Sequence, residues 1–359
     1  MKEITHRCSV TRIENGTYTR SFPKKGNSYL TPQFFERFER EFTSLAVFKF
    51  DHVQSFTMMK DNESALTVSR PYITGKSLFD VIESKSLLNW LNSLKSGING
   101  CRGAIKVTSS DARSQREMNE KEKLFFALTI IDQIAAAIEL FHDKNISLKN
   151  LGPRNIIIND KLEVTVVDVG IEAIMLEHLA GMSLSPNDLL LIGPEGSNDK
   201  HRSSKELDIW NLGIILYYIL AGKMPFVENN LVVMMQNFAN GNIYFDCDSI
   251  QNESVILLLH MMLKAEPSKR PDIFYVSKEI KRIIATLKKE SSRLSDNPLR
   301  SSSNIVHLNF DNNAALSHIV RKNNTSNLAR MSRHNSHNNK MMISSASLMK
   351  SNLVKVKLS

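Results

Sequence analysis

Cysteine is scarce in this chain. Cys8, Cys101 and Cys247 are its only three, widely separated and odd in number, so they give neither a disulfide framework nor a cysteine-based metal site and fit a reducing, intracellular compartment. Glycine is thin at the front: Gly16 and Gly26 are the only two before Gly75, which excludes a G-x-G-x-x-G phosphate-covering loop. The opening MKEITHRC lacks the apolar stretch of a secretory signal. The longest apolar run, Ile209 to Ala221, is broken by Asn211 and falls short of the roughly 20 residues a bilayer requires, so no membrane span is expected. Acidic residues are missing from the end. Beyond residue 290, ten lysines and arginines face only Asp296 and Asp311, so nearly all of the formal charge of +9 lies there and the body is close to neutral. With few aromatics interleaved, this stretch of Ser, Asn, Lys and Arg reads as a disordered basic tail over 290–359, and charge alone argues only weakly for nucleic-acid binding.

What is present suffices to bury one large or two modest cores, since 42% of 359 residues are hydrophobic. CSVTRI and TYTRSF alternate on either side of Asn15-Gly16, a hairpin signal. Thr31-Pro32 reads as a helix start, and Phe35, Phe38, Phe42 and Leu45 follow at helical spacing, predicting an amphipathic helix over 32–48. Strands are expected at 53–59 and 64–69, then a connector from Tyr72 to Asp80. Residues 93–120, with Gly97, Gly100, Gly103 and several serines, read as an insertion. Helical periodicity returns at Leu124, Leu128, Ile131, Ala135 and Ile138 and ends near His142. Leu207 to Ala221 is apolar on nearly every face and predicts a buried helix, with further helices at 254–263 and 276–287.

The stretch His142 to Gly170 organises the rest. Asn155 follows Asn150 by five positions, and Asp168-Val169-Gly170 ends a short apolar strand. Gly193-Pro194-Glu195, Asp208-Ile209-Trp210-Asn211-Leu212-Gly213 and Lys269-Arg270-Pro271 come after it in order. These signatures resemble, in sequence and spacing, those of the protein kinase family. The resemblance implies an α+β, bilobal fold. Its small β-rich lobe would cover 1–72, with the first strand and glycine-rich loop missing, and a mainly helical large lobe would cover 73–289.

The resemblance also implies roles. Asp168 and Asn155 match the pair that holds Mg²⁺ against ATP, with stabilisation of the loop by hydrogen bonds as the competing reading. Asn150 stands in place of the aspartate that accepts the substrate proton, and an amide cannot take a proton near neutral pH. Gly152 stands where a lysine is expected. Asp208 would brace the catalytic loop's backbone, Glu195 and Arg270 would form an internal ion pair, and Leu148 and Gly170 would keep their places in packing and turn. Glu41 is the candidate for the small lobe's ion-pairing glutamate, or else a solvated acid beside Arg37 and Arg40. Its lysine partner has no obvious counterpart: Ser21 or Phe22 falls near that position, with Arg20, Lys24 and Lys25 close by. In the segment matching the activation loop, 171–192, Ser183 and Ser185 are the only hydroxyls.

Losing a positioned general base lowers a rate by about 10²- to 10⁴-fold. The expectation is therefore a pseudokinase, a binding or allosteric module gripping a protein partner through its large lobe, with weak or absent ATP and Mg²⁺ binding. An active atypical serine/threonine kinase is the alternative, and nucleic-acid binding through the tail comes third. Oligomeric state is left open.

Overall fold

A hairpin whose turn demands two left-handed residues sets the first sheet. Asn15 (φ 49°) and Gly16 (φ 72°) form that turn, the pattern that matches the natural twist of two antiparallel strands. A computed structural model of the chain describes residues 2–6, 9–24, 30–46, 52–83, 120–149, 151–170, 190–197, 204–226 and 231–295. In it β2 (Ser9–Glu14) and β3 (Thr17–Pro23) close around this turn, with Glu14 opposite Thr17.

The expectation of a missing first strand is corrected. β1 (Lys2–His6) pairs antiparallel with β2, and β5 (Met58–Asp61) and β6 (Ala65–Pro71) complete a five-stranded sheet in the order β1-β2-β3-β6-β5. KEITH carries little apolar signal, and the strand is defined by its backbone ladder to β2. With His6 opposite Ser9, only two residues connect β1 to β2, neither of them glycine.

Helix α1 (Pro32–Ala46) covers one face of the sheet. Thr31 Oγ1 accepts from the Phe34 N–H at 3.3 Å, and proline at the first helical position has no N–H to satisfy. Phe34 and Phe38 are buried with Phe22, Phe56, Leu66 and Val68, and the Phe22 and Phe38 rings meet edge-on at 5.1 Å.

A second sheet carries the site. β4 (Val53–Gln54) runs parallel to β9 (Val164–Val167), which pairs with β8 (Ile156–Ile158), which pairs with β7 (Lys76–Ser77). Short α2 (Leu78–Glu83) follows β7. The Asn159 side chain accepts from the Lys161 and Glu163 N–H groups and fixes the β8–β9 turn.

The larger core surrounds α4 (Lys205–Ala221), in which every residue from Leu207 to Leu220 is buried. Ser204 caps its N-terminus and Gly222 (φ 68°) its C-terminus. It packs against α3 (Glu120–Asp143) and α6 (Glu253–Met262). α5 (Leu231–Ala239) and α7 (Ile273–Ser295) complete the described helices. α7 runs past Glu290, so helix replaces the expected first residues of the tail. From Lys123 to Asp143 α3 is long and apolar enough to cross a membrane, yet it is mostly buried in the protein's own core. The expected insertion 93–120, the segment with Ser183 and Ser185, and the tail beyond Ser295 lie outside the described residues.

Candidate functional site

Two short connections converge beneath the small sheet. One runs from α3 through Leu148 and Lys149 to the 3-10 turn Pro153–Asn155, and the other leaves β9 at Asp168. Lys149 and Asp168 both adopt left-handed backbone (φ 58° each), a conformation that costs a non-glycine residue about 1–2 kcal/mol. Neighbouring groups hold each of them there.

Asp208 holds the first. Its carboxylate accepts from the Leu148 N–H at 2.8 Å and the Lys149 N–H at 3.2 Å, and bonds His142 Nε2 at 2.8 Å. Burial pushes Asp208 above the ordinary aspartate range, opposed by the bonds to His142, Leu148 and Lys149. Leu148 is buried at the foot of this loop. Asn150 itself lies outside the described residues. At Gly152 a Cβ would stand 2.9 Å from Leu191 Cδ1, so an apolar side chain already fills the space where a lysine stem would start.

Glu41 and Lys149 form the first bridge across the cleft. Lys149 Nζ lies 2.6 and 2.7 Å from the two Glu41 carboxylate oxygens. The glutamate of α1 is thus neither solvated nor paired with a cation of β3, as the sequence reading had allowed; its partner comes from the loop. Gly170 (φ 79°) permits this approach, because a Cβ there would meet Leu45 Cδ1 at 2.5 Å and Glu41 Oε1 at 3.2 Å.

Asp168 and Arg70 form the second bridge. Arg70 Nε donates to Oδ1 at 2.6 Å and Nη2 to Oδ2 at 3.4 Å, with arginine and aspartate 4% and 7% exposed. The Arg70 guanidinium also lies 4.0 Å from the centre of the Tyr18 ring. Burial and then the Asp168 carboxylate raise the Tyr18 hydroxyl above its usual range, with Arg20 and Arg70 pulling it back. On β3 the inward cation is Arg20, whose Nε donates to Ser9 Oγ at 2.9 Å. Ser21 shares a hydrogen bond with Thr67, Phe22 is in the core, and Lys24 pairs with Asp61. Lys25 lies outside the described residues.

In this arrangement the Asp168 carboxylate already has a cation partner. A metal sharing the Asp168 carboxylate would stand on the order of 4 Å from the guanidinium and be repelled by roughly 4 kcal/mol per unit of its charge at an effective dielectric of 20. Asn155, half-buried at the end of its 3-10 turn, shares no hydrogen bond with Asp168 among the described residues.

Further from the cleft, Arg270 donates to both Glu195 oxygens at 2.6 and 2.7 Å, and to the Glu206 carbonyl at 2.9 Å. Both side chains are almost fully enclosed, and the Trp210 ring lies 4.9 Å below the guanidinium.

The sheet order, the braced loop and this ion pair form one arrangement, and the protein kinase domain profile matches residues 22–280. The chain belongs to the protein kinase family. Among curated proteins, this kinase domain is 25% identical over 253 residues to CBL-interacting protein kinase 1 of Oryza sativa subsp. japonica, covering 69% of the chain and 46% of that protein. It is 26% identical over 246 residues to the carbon catabolite-derepressing protein kinases of Candida albicans and Candida tropicalis, covering 68% of the chain and 33% of each. The chain therefore spans about a third to a half of the length of these relatives.

Sequence reasoning missed Arg70 and Lys149. Arg70 had a signal: it continues the inward alternation Leu66, Val68, Arg70 on β6, so a charge falls on the buried face. Lys149 had none, because a loop lysine gives no hint of its direction.

Proposed function

We propose that this kinase domain is a pseudokinase, a binding or allosteric module whose capacity for phosphoryl transfer is impaired. One observation carries the reading. Asp208 holds the loop at Leu148 and Lys149, while the two positions chemistry needs on that loop are Asn150 and a Gly152 backed by Leu191. Transfer relies on positioning and charge neutralisation around a carboxylate that meets the attacking hydroxyl. Here the positioning groups are in place and the reacting groups are not. Binding of ATP and Mg²⁺ is weak or absent in this reading, since Asp168 is already engaged by Arg70. The proposed partner is a protein docked on the large lobe, where Tyr244 and Phe274 are 80% and 55% exposed. The proposed setting is intracellular.

A second reading, a working serine/threonine kinase with an atypical site, is favoured by the retention of Asp168 and Asn155 and by relatives that are themselves named protein kinases. One assay separates the two. Purified chain is incubated with ATP and Mg²⁺ or Mn²⁺ on a generic protein substrate, beside Asp168→Ala. The pseudokinase reading expects equal background from both and no gain from Asn150→Asp. Transfer abolished by Asp168→Ala overturns it.

A further inference from the structure

The disagreement between Asp168 and a metal ion has its own explanation. Resting on the kinase-domain reading of the cleft but not on the loss of transfer, we propose that Arg70 replaces the divalent metal. Its guanidinium is the permanent counter-cation of Asp168, and the carboxylate ties the sheet to the loop instead of ligating an ion.

Arg70 is placed by the fold. Its position on β6 is fixed by the ladder to β3, where Arg70 stands opposite Tyr18. The Tyr18 ring lies 4.0 Å and the Phe56 ring 5.8 Å from the guanidinium carbon, and Nη1 donates to the Pro71 carbonyl at 3.3 Å. The planar fork donates from two nitrogens, one to each Asp168 oxygen. A metal arriving at Asp168 would have to expel a buried cation whose contacts among the described residues include the Tyr18 and Phe56 rings and no second carboxylate. The other described acid of the cleft, Glu41, is taken by Lys149 on both oxygens. Each acid is thus answered by a cation the chain supplies itself, and one cation and one acid come from each side of the cleft.

The test uses the full chain and Mn²⁺ alone, with free ion read from its paramagnetic resonance signal. Wild type and Asp168→Asn should reduce that signal equally. Arg70→Met, which keeps the stem and removes the charge, should gain a saturable site about tenfold or more tighter. Arg70→Met with Asp168→Asn should lose it again. An Asp168-dependent site in the wild type overturns the proposal, as does an Arg70→Met variant that is folded by circular dichroism and gains nothing. If the variants do not fold, Mn²⁺ broadening of wild-type amide resonances decides: broadening centred on Asp168 overturns the proposal, and its absence at saturating millimolar ion supports it. The kinase assay stands apart. Mn²⁺ bound at Asp168 without transfer sinks this inference and the weak metal binding it shares with the proposed function, but leaves the loss of transfer standing; transfer without such binding sinks only the pseudokinase reading.

Discussion

Glu41 of α1 and Lys149 of the loop after α3 are joined at 2.6 and 2.7 Å, with 15% and 23% of their side chains exposed. A glutamate on the small lobe's helix thereby reports directly on the loop that carries Asn150. Arg70 and Asp168 make the same crossing with the charges exchanged.

The first prediction follows from that pair. Glu41→Ala and Lys149→Ala should each lower stability by about 1–2 kcal/mol, and the double variant by less than their sum, with a coupling of about 1 kcal/mol for a half-buried pair. Urea unfolding of the four proteins measures it. Strict additivity would show that the contact contributes nothing in solution.

The enclosed pair Glu195–Arg270 should behave differently. Arg270→Leu strands a buried carboxylate and should cost about 3–5 kcal/mol, whereas Arg270→Leu with Glu195→Leu should recover much of that loss because no charge remains to be solvated. Thermal melts of both variants check the order. A double variant less stable than the single one would contradict it.

Asp208→Ala removes the acceptor for two backbone N–H groups and a histidine. The expected loss is about 3 kcal/mol, at the upper end for stranded buried polar groups. Amide exchange at Leu148 and Lys149 should accelerate well beyond the global change. Unchanged protection there would show that other contacts hold the loop.

Asp132 on α3 supplies a pH-dependent prediction. One carboxylate oxygen is buried without a hydrogen bond, and the nearest cation, Lys281, stands 4.0 Å away. Burial raises its pKa above the ordinary 3.8, with Lys281 opposing. The folded state therefore holds this proton more tightly than the unfolded chain. Its contribution is full below about pH 3.8 and is lost as pH rises through the folded value. Asp132→Asn, which stays neutral, should stabilise the protein by roughly 1 kcal/mol at pH 7 and by less near pH 4. Denaturant midpoints at the two pH values test it, and an equal shift at both would refute the assignment.

Much of this was legible in the residues, for identifiable reasons. Asn15-Gly16 encodes its turn because only such residues accept two positive φ angles in succession. The unbroken apolarity of Leu207–Leu220 leaves no face for water, and the helix is buried all round. Asp208, Glu195 and Arg270 stand at motif positions, although their contacts join segments distant in the chain, 60 residues apart for Leu148 and Asp208 and 75 for Glu195 and Arg270. Strand β1 was not legible, because KEITH alternates without an apolar face and owes its pairing to a neighbouring backbone. In the first turn of α1 the buried ring is Phe34, not Phe35, a shift that a period of 3.6 leaves open at the helix start. Arg70 and Lys149 depend on which way a long side chain turns across a gap between distant segments, and spacing along the chain says nothing of that.

The two-residue step from His6 to Ser9 carries a consequence for kinetics. Pairing between chain neighbours closes a short loop, so the β1–β2 ladder should form early relative to the β3–β6 ladder, whose partners are far apart in sequence.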